Sequence, residues 1–424
     1  MNYKDKKVAV LGWGVDTKDV SGWLLKQGAK ITVFDKKSEI EKDNRFEWRL
    51  GQELFEDLEG FDVAVRSPGI YRHRKDIVEA EKAGVEITSK TKIFFDVCPA
   101  RIIGVTGTKG KGTTSTLIYE MLKKGGKDVY LAGNIGLGMF EYFDKLTTDS
   151  WMVLELSSAQ LIDLHKSPHI AAIVMTTSDH LDWHKDQQEY WDAKANLTRY
   201  QTDSDWAVIN NGYEGSRWVG SQGKGKKVFA SPEDFVGDVR MKGEHQRQNV
   251  AVAAAVAKIV GVDEKIVHKV AAAFKGLEHR LEEVATVNGV TYYDDSISTV
   301  PETAIAAIKS FSENIVLIAG GSEKNSDFSE LGKEIVNCGH MRGVILIGEM
   351  TDRIEKAIEQ AGGGIKIVKG LKTMRRVVQE AENLAKKGDV VALSPAAASF
   401  GMFKNYKDRG NQFKKEVERL STKS

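Results

Sequence analysis

Glycine, lysine and threonine are closely spaced in the segment from Gly107 to Thr114, whose sequence is Gly-Thr-Lys-Gly-Lys-Gly-Thr-Thr. An apolar run that favours a buried strand precedes it, and a pattern typical of an amphipathic helix covers residues 114–124. Between a strand and a helix N-terminus, glycines let backbone N–H groups converge on an anion, and the helix dipole favours that anion. We expect Lys111 to reach β- and γ-phosphates and a hydroxyl of Thr113 or Thr114 to bind Mg²⁺. The segment therefore predicts a nucleotide-phosphate site.

This segment departs in two ways from the usual phosphate-loop pattern G-x-x-x-x-G-K-[ST]. Val105 stands five residues before Gly110, so the loop is the shorter Gly107-x-x-Gly110-Lys111. Gly112 follows the lysine, which moves the expected metal-binding hydroxyl one residue further. An ordinary strand-to-helix turn is the alternative, but three glycines, a lysine and two threonines at one such junction favour phosphate binding.

Titratable side chains follow two further apolar strands. Glu155 ends the run 151–155, and a carboxylate at the carboxyl end of a strand lies in the ligand crevice of an open α/β sheet, where it could hold Mg²⁺. A solvent-facing acid is the alternative. The strand predicted at 171–175 is followed by four titratable residues, Asp179, His180, Asp182 and His184. Cysteines are too few for a zinc cluster, so this group favours Mg²⁺.

The organisation of the chain predicts three α/β domains, at residues 1–95, 96–280 and 281–424. The 424 residues exceed what one hydrophobic core usually supports. Strands and helices alternate in the first 95 residues as in a doubly wound sheet. There Gly12-x-Gly14 resembles a dinucleotide fingerprint, but Thr17 holds the third glycine position, which favours another nucleotide-like ligand over a redox cofactor.

Composition indicates a soluble cytoplasmic enzyme that binds neither nucleic acid nor membrane. The formal net charge is +1, so there is no excess of basic charge. The two cysteines suggest no disulfide framework, and no apolar run approaches the roughly 20 residues that span a bilayer. We expect a monomer.

Together these motifs resemble the Mur ligases of peptidoglycan synthesis, in order and over the whole chain. The resemblance implies a Rossmann-like domain for a UDP substrate, a central ATPase domain with a mostly parallel sheet, and a Rossmann-like domain for an amino acid. It also implies two Mg²⁺ ions and a carbamate, derived from CO₂, on Lys194. The helical pattern at 190–199 alone favours a solvent-exposed surface lysine at that position.

The resemblance implies roles for particular residues. It implies catalytic roles for Lys111, His180, Lys194 and Arg280. It implies ATP contacts at Gly107, Thr108, Lys109, Gly110, Lys111, Gly112, Thr113, Thr114, Asn249, Arg280 and Asp295. It implies magnesium ligands at Thr113, Glu155, His180 and Lys194. It implies UDP-substrate contacts at Gly14, Val15, Asp35, Lys36, Ser67, Pro68, Gly69, Asn134 and Ser157. It implies amino-acid contacts at Thr299, Lys324, Ser399, Phe400 and Tyr406.

Within the family, the C-terminal motifs are most similar to those of the members that join D-glutamate to UDP-N-acetylmuramoyl-L-alanine. One departure is Ile297, where many relatives have a lysine, so that lysine's role cannot be transferred. The Gly-Lys-Gly form of the loop is closer to the folylpolyglutamate synthetase branch, which is one alternative. A nucleotide-binding regulator without catalysis is the other.

Overall fold

The structure, a computed structural model, describes residues 2–51, 55–177, 183–241, 243–322 and 326–422. Four predicted site residues lie outside the described residues, namely Asp179, His180, Asp182 and Lys324. For Val15 only the backbone is described.

The first sheet has five parallel strands. They are β1 (Lys7–Leu11), β2 (Lys30–Asp35), β3 (Glu47–Leu50), β4 (Val63–Arg66) and β5 (Glu86–Ser89). The helices beside them are α1 (Val15–Lys26), α2 (Lys75–Lys82) and α3 (Lys90–Val97). The strand order is β3-β2-β1-β4-β5. Val and Ala make up most of the central strands β1 and β4, as expected for a parallel sheet covered on both faces.

The second sheet has six parallel strands. They are β6 (Arg101–Thr106), β7 (Val129–Gly133), β8 (Trp151–Glu155), β9 (Ile170–Ile173), β10 (Trp206–Asn210) and β11 (Lys226–Ala230). The helices are α4 (Lys111–Lys124), α5 (Ser158–Leu161), α6 (Gln187–Arg199), α7 (Glu214–Ser221), α8 (Glu244–Val260) and α9 (Glu264–Ala273). The order β11-β10-β9-β6-β8-β7 puts β6, which leads into the glycine loop, inside the sheet.

The third sheet has six strands, of which one pair is antiparallel. They are β12 (Glu282–Val287), β13 (Val290–Asp294), β14 (Ile315–Gly321), β15 (Met341–Gly348), β16 (Ile367–Val368) and β17 (Val390–Leu393). The helices are α10 (Pro301–Lys309), α11 (Ser329–Asn337), α12 (Thr351–Gln360), α13 (Met374–Leu384) and α14 (Tyr406–Ser421). The order is β12-β13-β17-β14-β15-β16, and β12 runs antiparallel to β13. The predicted fold class, α/β with mostly parallel sheets, is confirmed.

The chain forms two compact units. Residues 1–240 and 244–274 make the first, and residues 241–243 and 275–424 make the second. The first unit holds the first two sheets, and one core cluster takes side chains from both of their regions, including Trp23, Phe94, Phe140 and Met152. The boundary predicted at residue 95 therefore lies inside a compact unit, and the three-domain division stays a prediction.

Two connections are shorter than their sequence pattern indicates. The glycine- and lysine-rich segment 220–227 has the composition of a surface loop, but α7 extends to Ser221 and β11 begins at Lys226. The segment 96–100 has the pattern of a linker, but α3 continues to Val97. In both places an element extends into a glycine- or proline-containing segment that the sequence pattern assigned to a connection.

Candidate functional site

The carboxyl ends of the central strands meet at one edge of the second sheet. Glu155, at the end of β8, lies opposite Val105 of β6 on one side and Gly133 of β7 on the other. The glycine loop begins two residues after Val105. Asn134 follows Gly133 directly, and its backbone N–H donates to Glu155 O at 3.1 Å. The structure thus brings the loop, Glu155 and Asn134 to one edge, which is where ligands bind in open α/β sheets.

Glycine is required at two positions of the loop. Gly107 has φ +153° and Gly110 has φ +88°, conformations that L side chains rarely adopt. A Cβ atom at Gly107 would lie 2.5 Å from Val174 Cγ2, and one at Gly110 would overlap Asn249 Oδ1. The chain therefore turns tightly from β6 into α4, which begins at Lys111, three residues earlier than its pattern predicted.

Backbone hydrogen bonds narrow the set of donors that could hold a phosphate. The N–H groups of Thr108 and Lys109 both donate to Met175 O, at 2.6 and 3.2 Å. Thr108 Oγ1 also lies 2.9 Å from the Tyr190 hydroxyl. In α4 the first i to i−4 hydrogen bond runs from the Thr114 N–H to Gly110 O, at 2.9 Å, so the N–H groups before it point out of the helix N-terminus. These first-turn groups stay as the predicted phosphate donors.

Two lysines converge on the carbonyl side of the loop. Lys111 Nζ donates to Gly107 O at 3.1 Å and to Thr108 O at 3.0 Å. Lys194 Nζ donates to the same Gly107 O at 2.9 Å, and it lies 4.4 Å from the centre of the Tyr190 ring. The structure thus brings Lys194, from α6, to the glycine loop 87 residues earlier in the chain.

Lys194 is buried rather than solvent-exposed. Only 1% of the residue is exposed, so the surface lysine favoured by the helical pattern is wrong. The reason is that α6 buries residues 193–198 in succession, not one stripe of residues. A buried ammonium needs polar partners, and the Gly107 carbonyl and the Tyr190 ring face supply them.

Thr113 and Glu155 fit the chemistry of a hard cation site. Thr113 lies in the first turn of α4 and Glu155 at the end of β8, and both are buried. Hydroxyl and carboxylate oxygens are the ligands that Mg²⁺ prefers. Thr114 is fully buried and one residue further into the helix, so we keep Thr113 as the predicted ligand.

Two turns of the first sheet pack against each other. Gly12 has φ +80°, and a Cβ atom added there would lie 3.2 Å from Ser67 Cβ and 3.1 Å from Ile70 Cδ1. The backbone N–H of Ser67 donates to Leu11 O at 3.0 Å. The structure therefore brings the Gly12–Gly14 turn and the Ser67–Ile70 turn together, with Pro68 and Gly69 in the second of them.

Asp35 fixes the first of these turns. Its Oδ2 accepts the Trp13 N–H at 2.7 Å, and its Oδ1 accepts the Lys37 N–H at 2.9 Å. Thr17, at the position of the missing third glycine, donates its hydroxyl to Gly12 O at 2.6 Å. The carboxylate predicted to contact a ligand thus also holds the turn in shape. Lys36, beside it, is exposed.

Ser157 is the N-cap of α5, where its hydroxyl accepts the Gln160 N–H at 3.4 Å. The next residue, Ser158, begins the helix and bonds to His184 Nε2 at 2.8 Å. His184 Nδ1 in turn lies 3.2 Å from Glu189 Oε2. The chain immediately after the predicted magnesium segment is therefore held against the helix that carries Ser157.

Asp295 is buried directly after β13 in the second unit. Its Oδ1 accepts the Leu281 N–H at 3.1 Å, and its Oδ2 accepts the hydroxyls of Ser394, at 2.7 Å, and Ser298. Burial raises the pKa of Asp295 to about 6, although the three hydrogen bonds lower it. This carboxylate holds two turns together, and its predicted ribose contact stays a prediction.

Arg280 is exposed between two residues in left-handed conformations. His279 has φ +61° and Leu281 has φ +45°. His279 is buried, with Nδ1 2.7 Å from Asp294 Oδ2. Non-glycine residues adopt this conformation only where the surroundings enforce it. The backbone therefore buries His279 while it directs Arg280 to the surface of its unit.

The residues that are predicted to bind the amino-acid substrate differ in their exposure. Ser399 is buried, whereas Phe400 is 63% exposed. Tyr406 is the first residue of α14, and its carbonyl accepts the Ser296 hydroxyl at 2.8 Å. Thr299 is half-buried after β13.

Sequence reasoning missed Arg409, which is fully buried on α14. Its guanidinium donates to the Ser296 hydroxyl and carbonyl, at 2.9 and 2.8 Å, and to the carbonyls of Ala397 and Ala398, at 3.2 and 3.3 Å. It therefore supports the small-residue run that contains Ser399. The only local signal is Gly410, where a Cβ would overlap His279 Nδ1.

Among the described residues, none of the helices combines the length and the apolar composition that crossing a bilayer requires.

The three sheets define an α/β protein with a glycine turn between β6 and α4. Residues 105–234 match the Mur ligase middle domain, and residues 279–397 match the Mur ligase, glutamate ligase domain. The UDP-N-acetylmuramoylalanine–D-glutamate ligase of Acetivibrio thermocellus is 37% identical, over 98% of this chain and 97% of that protein. The protein of the same name from Clostridium botulinum strain Langeland is 36% identical over the same shares.

Solved structures share the fold. The MurC ligase of Thermotoga maritima has a TM-score of 0.58 at 17% identity and covers 99% of this chain and 100% of that chain. The MurF ligase of the same organism, solved in complex with ADP, has a TM-score of 0.58 at 18% identity and covers 98% of this chain and 96% of that chain. The chain belongs to the Mur ligase family, and the family predicted from its motifs is confirmed.

Proposed function

We propose that this protein is an ATP-dependent ligase that joins D-glutamate to UDP-N-acetylmuramoyl-L-alanine in the cytoplasm, as a monomer. The observation that carries the proposal is the glycine loop. Two of its glycines, Gly107 and Gly110, have positive φ, and the Gly107 carbonyl accepts hydrogen bonds from both Lys111 and Lys194. The relatives that carry this activity in their names support the choice of substrates, because they are 36–37% identical over 98% of the chain.

A carboxylate is a poor electrophile, so the reaction needs activation by ATP. In the first step a carboxylate oxygen of the terminal alanine attacks the γ-phosphorus in line. The bond from that phosphorus to the β–γ bridging oxygen breaks, so that ADP leaves and an acyl phosphate forms. Lys111 and the first turn of α4 would hold the phosphates, and Arg280 would neutralise the developing charge. Asn249 and Asp295 would contact the nucleoside.

Mg²⁺ would neutralise the phosphate oxygens during this step. Thr113 and Glu155 would hold one ion, and their oxygens at the same sheet edge fit that role. His180 and a carbamate on Lys194 would hold the second. Carbamylation replaces the ammonium of Lys194 with an anionic oxygen donor, and the lysine already lies at the loop.

In the second step the D-glutamate amine attacks the acyl carbon. The bond to the phosphate oxygen breaks, an amide forms, phosphate leaves and the amine loses a proton. Thr299, Lys324, Ser399, Phe400 and Tyr406 would bind the amino acid. The UDP end would lie on the Gly12–Gly14 and Ser67–Ile70 turns, with Asn134 and Ser157 nearer the reacting carboxylate.

The test is phosphate release with UDP-N-acetylmuramoyl-L-alanine, ATP and a panel of amino acids. We expect release with D-glutamate only, and loss of release in Lys111→Ala. Lys124→Ala, at the exposed end of the same helix, is the matched control and should keep full activity. Release with a folate and L-glutamate would indicate a folylpolyglutamate synthetase-like enzyme. ATP binding without any release would indicate a regulator.

A further inference from the structure

Arg66, the last residue of β4, is an arginine with no exposed surface. Its Nη1 donates to Ser67 O at 3.1 Å and to Ile70 O at 2.5 Å, the first and last residues of the predicted UDP-substrate turn. The guanidinium therefore supports this turn from the carbonyl side. A fully buried guanidinium is unusual unless all of its donors are satisfied.

The rest of the guanidinium contacts helix α5, beside the second sheet, and the chain just after that helix. Nη2 donates to Ala159 O at 2.9 Å, and Nε donates to Asp163 Oδ2 at 2.9 Å, with Nη2 on the same oxygen. Asp163 is itself buried, and its Oδ1 lies 2.8 Å from Arg72 Nε. One side chain thus joins the turn after β4 to the helix whose N-cap is Ser157.

A second connection lies beside the first. The Tyr71 hydroxyl donates to Glu189 Oε1 at 2.8 Å, and Glu189 Oε2 lies 3.2 Å from His184 Nδ1. The Tyr71 ring also packs edge-on against Trp183, with centroids 5.4 Å apart. The chain that follows the predicted substrate turn is thus fixed to the chain that follows the predicted magnesium segment.

We infer that Arg66 is a positioning residue that sets the spacing between the two halves of the UDP-substrate site, the Ser67–Ile70 turn and the N-terminus of α5. The inference rests on the proposed function for the identity of the substrate. A substrate held at both ends needs that spacing to be constant, because a displacement of about 1 Å at one end carries its reactive group out of line.

Arg66→Lys keeps the charge but removes the planar fork. An ammonium has three donors on one atom and cannot reach the Ser67, Ile70 and Ala159 carbonyls and Asp163 together. We expect the KM for UDP-N-acetylmuramoyl-L-alanine to rise at least about tenfold, since the substrate spans the loosened junction. The KM for ATP should stay within about twofold, because the printed partners of the Arg66 guanidinium, Ser67, Ile70, Ala159 and Asp163, all lie outside the glycine loop.

The experiment measures kcat and both KM values by phosphate release, and the Kd of the UDP substrate by calorimetry, in wild type and Arg66→Lys. The matched control is Arg342→Lys, which breaks a two-bond Arg–Asp pair in the other unit, to Asp389 at 2.8 and 3.0 Å. The control should leave both KM values unchanged. If Arg66→Lys does not fold, Asp163→Asn replaces it under the same criteria.

A selective loss of UDP-substrate affinity supports the inference. Unchanged KM values, equal increases in both, a mere decrease in active fraction, or the same selective increase in Arg342→Lys would each overturn it. Wild-type protein that binds the UDP substrate but does not release phosphate would contradict the proposed function alone, and the calorimetric comparison would still decide the role of Arg66. Wild-type protein that does not bind the UDP substrate would overturn both.

Discussion

Gly110→Ala should separate the phosphate loop's shape from its charge. The substitution adds one methyl group where φ is +88° and where that methyl would overlap Asn249 Oδ1. The left-handed backbone costs about 1–2 kcal/mol for an alanine. Asn249 is buried, so it can yield only by giving up its hydrogen bond to Gln246 Oε1, at 3.2 Å, which contributes about 1 kcal/mol. We expect a total loss of about 2–3 kcal/mol in the free energy of unfolding.

The matched control is Gly126→Ala, just beyond the C-terminal end of α4. Its φ is +75°, but a Cβ there meets no atom within 4 Å. The control should therefore lose only the backbone contribution of about 1–2 kcal/mol. The difference between the two variants isolates the contact with Asn249.

The assay is chemical unfolding together with calorimetric titration of a nonhydrolysable ATP analogue with Mg²⁺. Displacing the loop backbone and Asn249 should weaken analogue binding at least about tenfold in Gly110→Ala, whereas Gly126→Ala should stay within about twofold of wild type. Folded Gly110→Ala protein that binds the analogue as tightly as wild type would refute the assignment of this loop to the triphosphate.

Three further perturbations test separate parts of the site. Lys194→Ala should lose phosphate release while it still binds the UDP substrate, and bicarbonate should not restore release; full activity would remove the carbamate from the mechanism. In wild type the folded state binds the Asp295 proton more tightly than the unfolded chain, because its pKa is raised to about 6. Its ionisation should therefore lower the free energy of unfolding as pH rises from about 4 to about 6. Relative to wild type, Asp295→Asn should gain up to about 3 kcal/mol over that range in urea unfolding, and a pH-independent difference would contradict the raised pKa. In thermal melts, Arg409→Lys should lower the free energy of unfolding by about 2–4 kcal/mol, since a lysine cannot donate to all four acceptors of the guanidinium. The exposed Arg419→Lys on the same helix should change the free energy of unfolding by less than about 0.5 kcal/mol.

The strand ends were predictable from sequence because apolar runs, glycines and strand-end acids are local patterns. Glu155 ends β8, as its run of apolar residues indicated, and the glycine loop joins β6 to α4. The sequence pattern did not predict β11, because the strand begins with Lys226 and Lys227 and a pair of charged residues is typical of a loop. Edge strands commonly carry lysine, since it discourages pairing with other chains.

The buried cations were not predictable by the same reasoning. Arg66 meets Asp163 across 97 residues of sequence, and Arg409 meets Ser296 across 113. In a single sequence such arginines cannot be told from ordinary surface charges, because the neighbouring residues do not indicate which distant carbonyls the guanidinium will contact. Lys194 was assigned only through family resemblance, for the same reason.

One physical requirement explains why these three cations lie where they do. A turn that presents N–H groups to an anion directs its carbonyls the other way, and buried carbonyls need donors. Arg66 covers Ser67 O and Ile70 O, Lys194 covers Gly107 O, and Arg409 covers Ala397 O and Ala398 O. The three supported turns are predicted to bind three different ligands, namely the UDP substrate, ATP and the amino acid. A ligand site of this kind therefore consists of two layers, and only the layer that faces the ligand has a sequence motif.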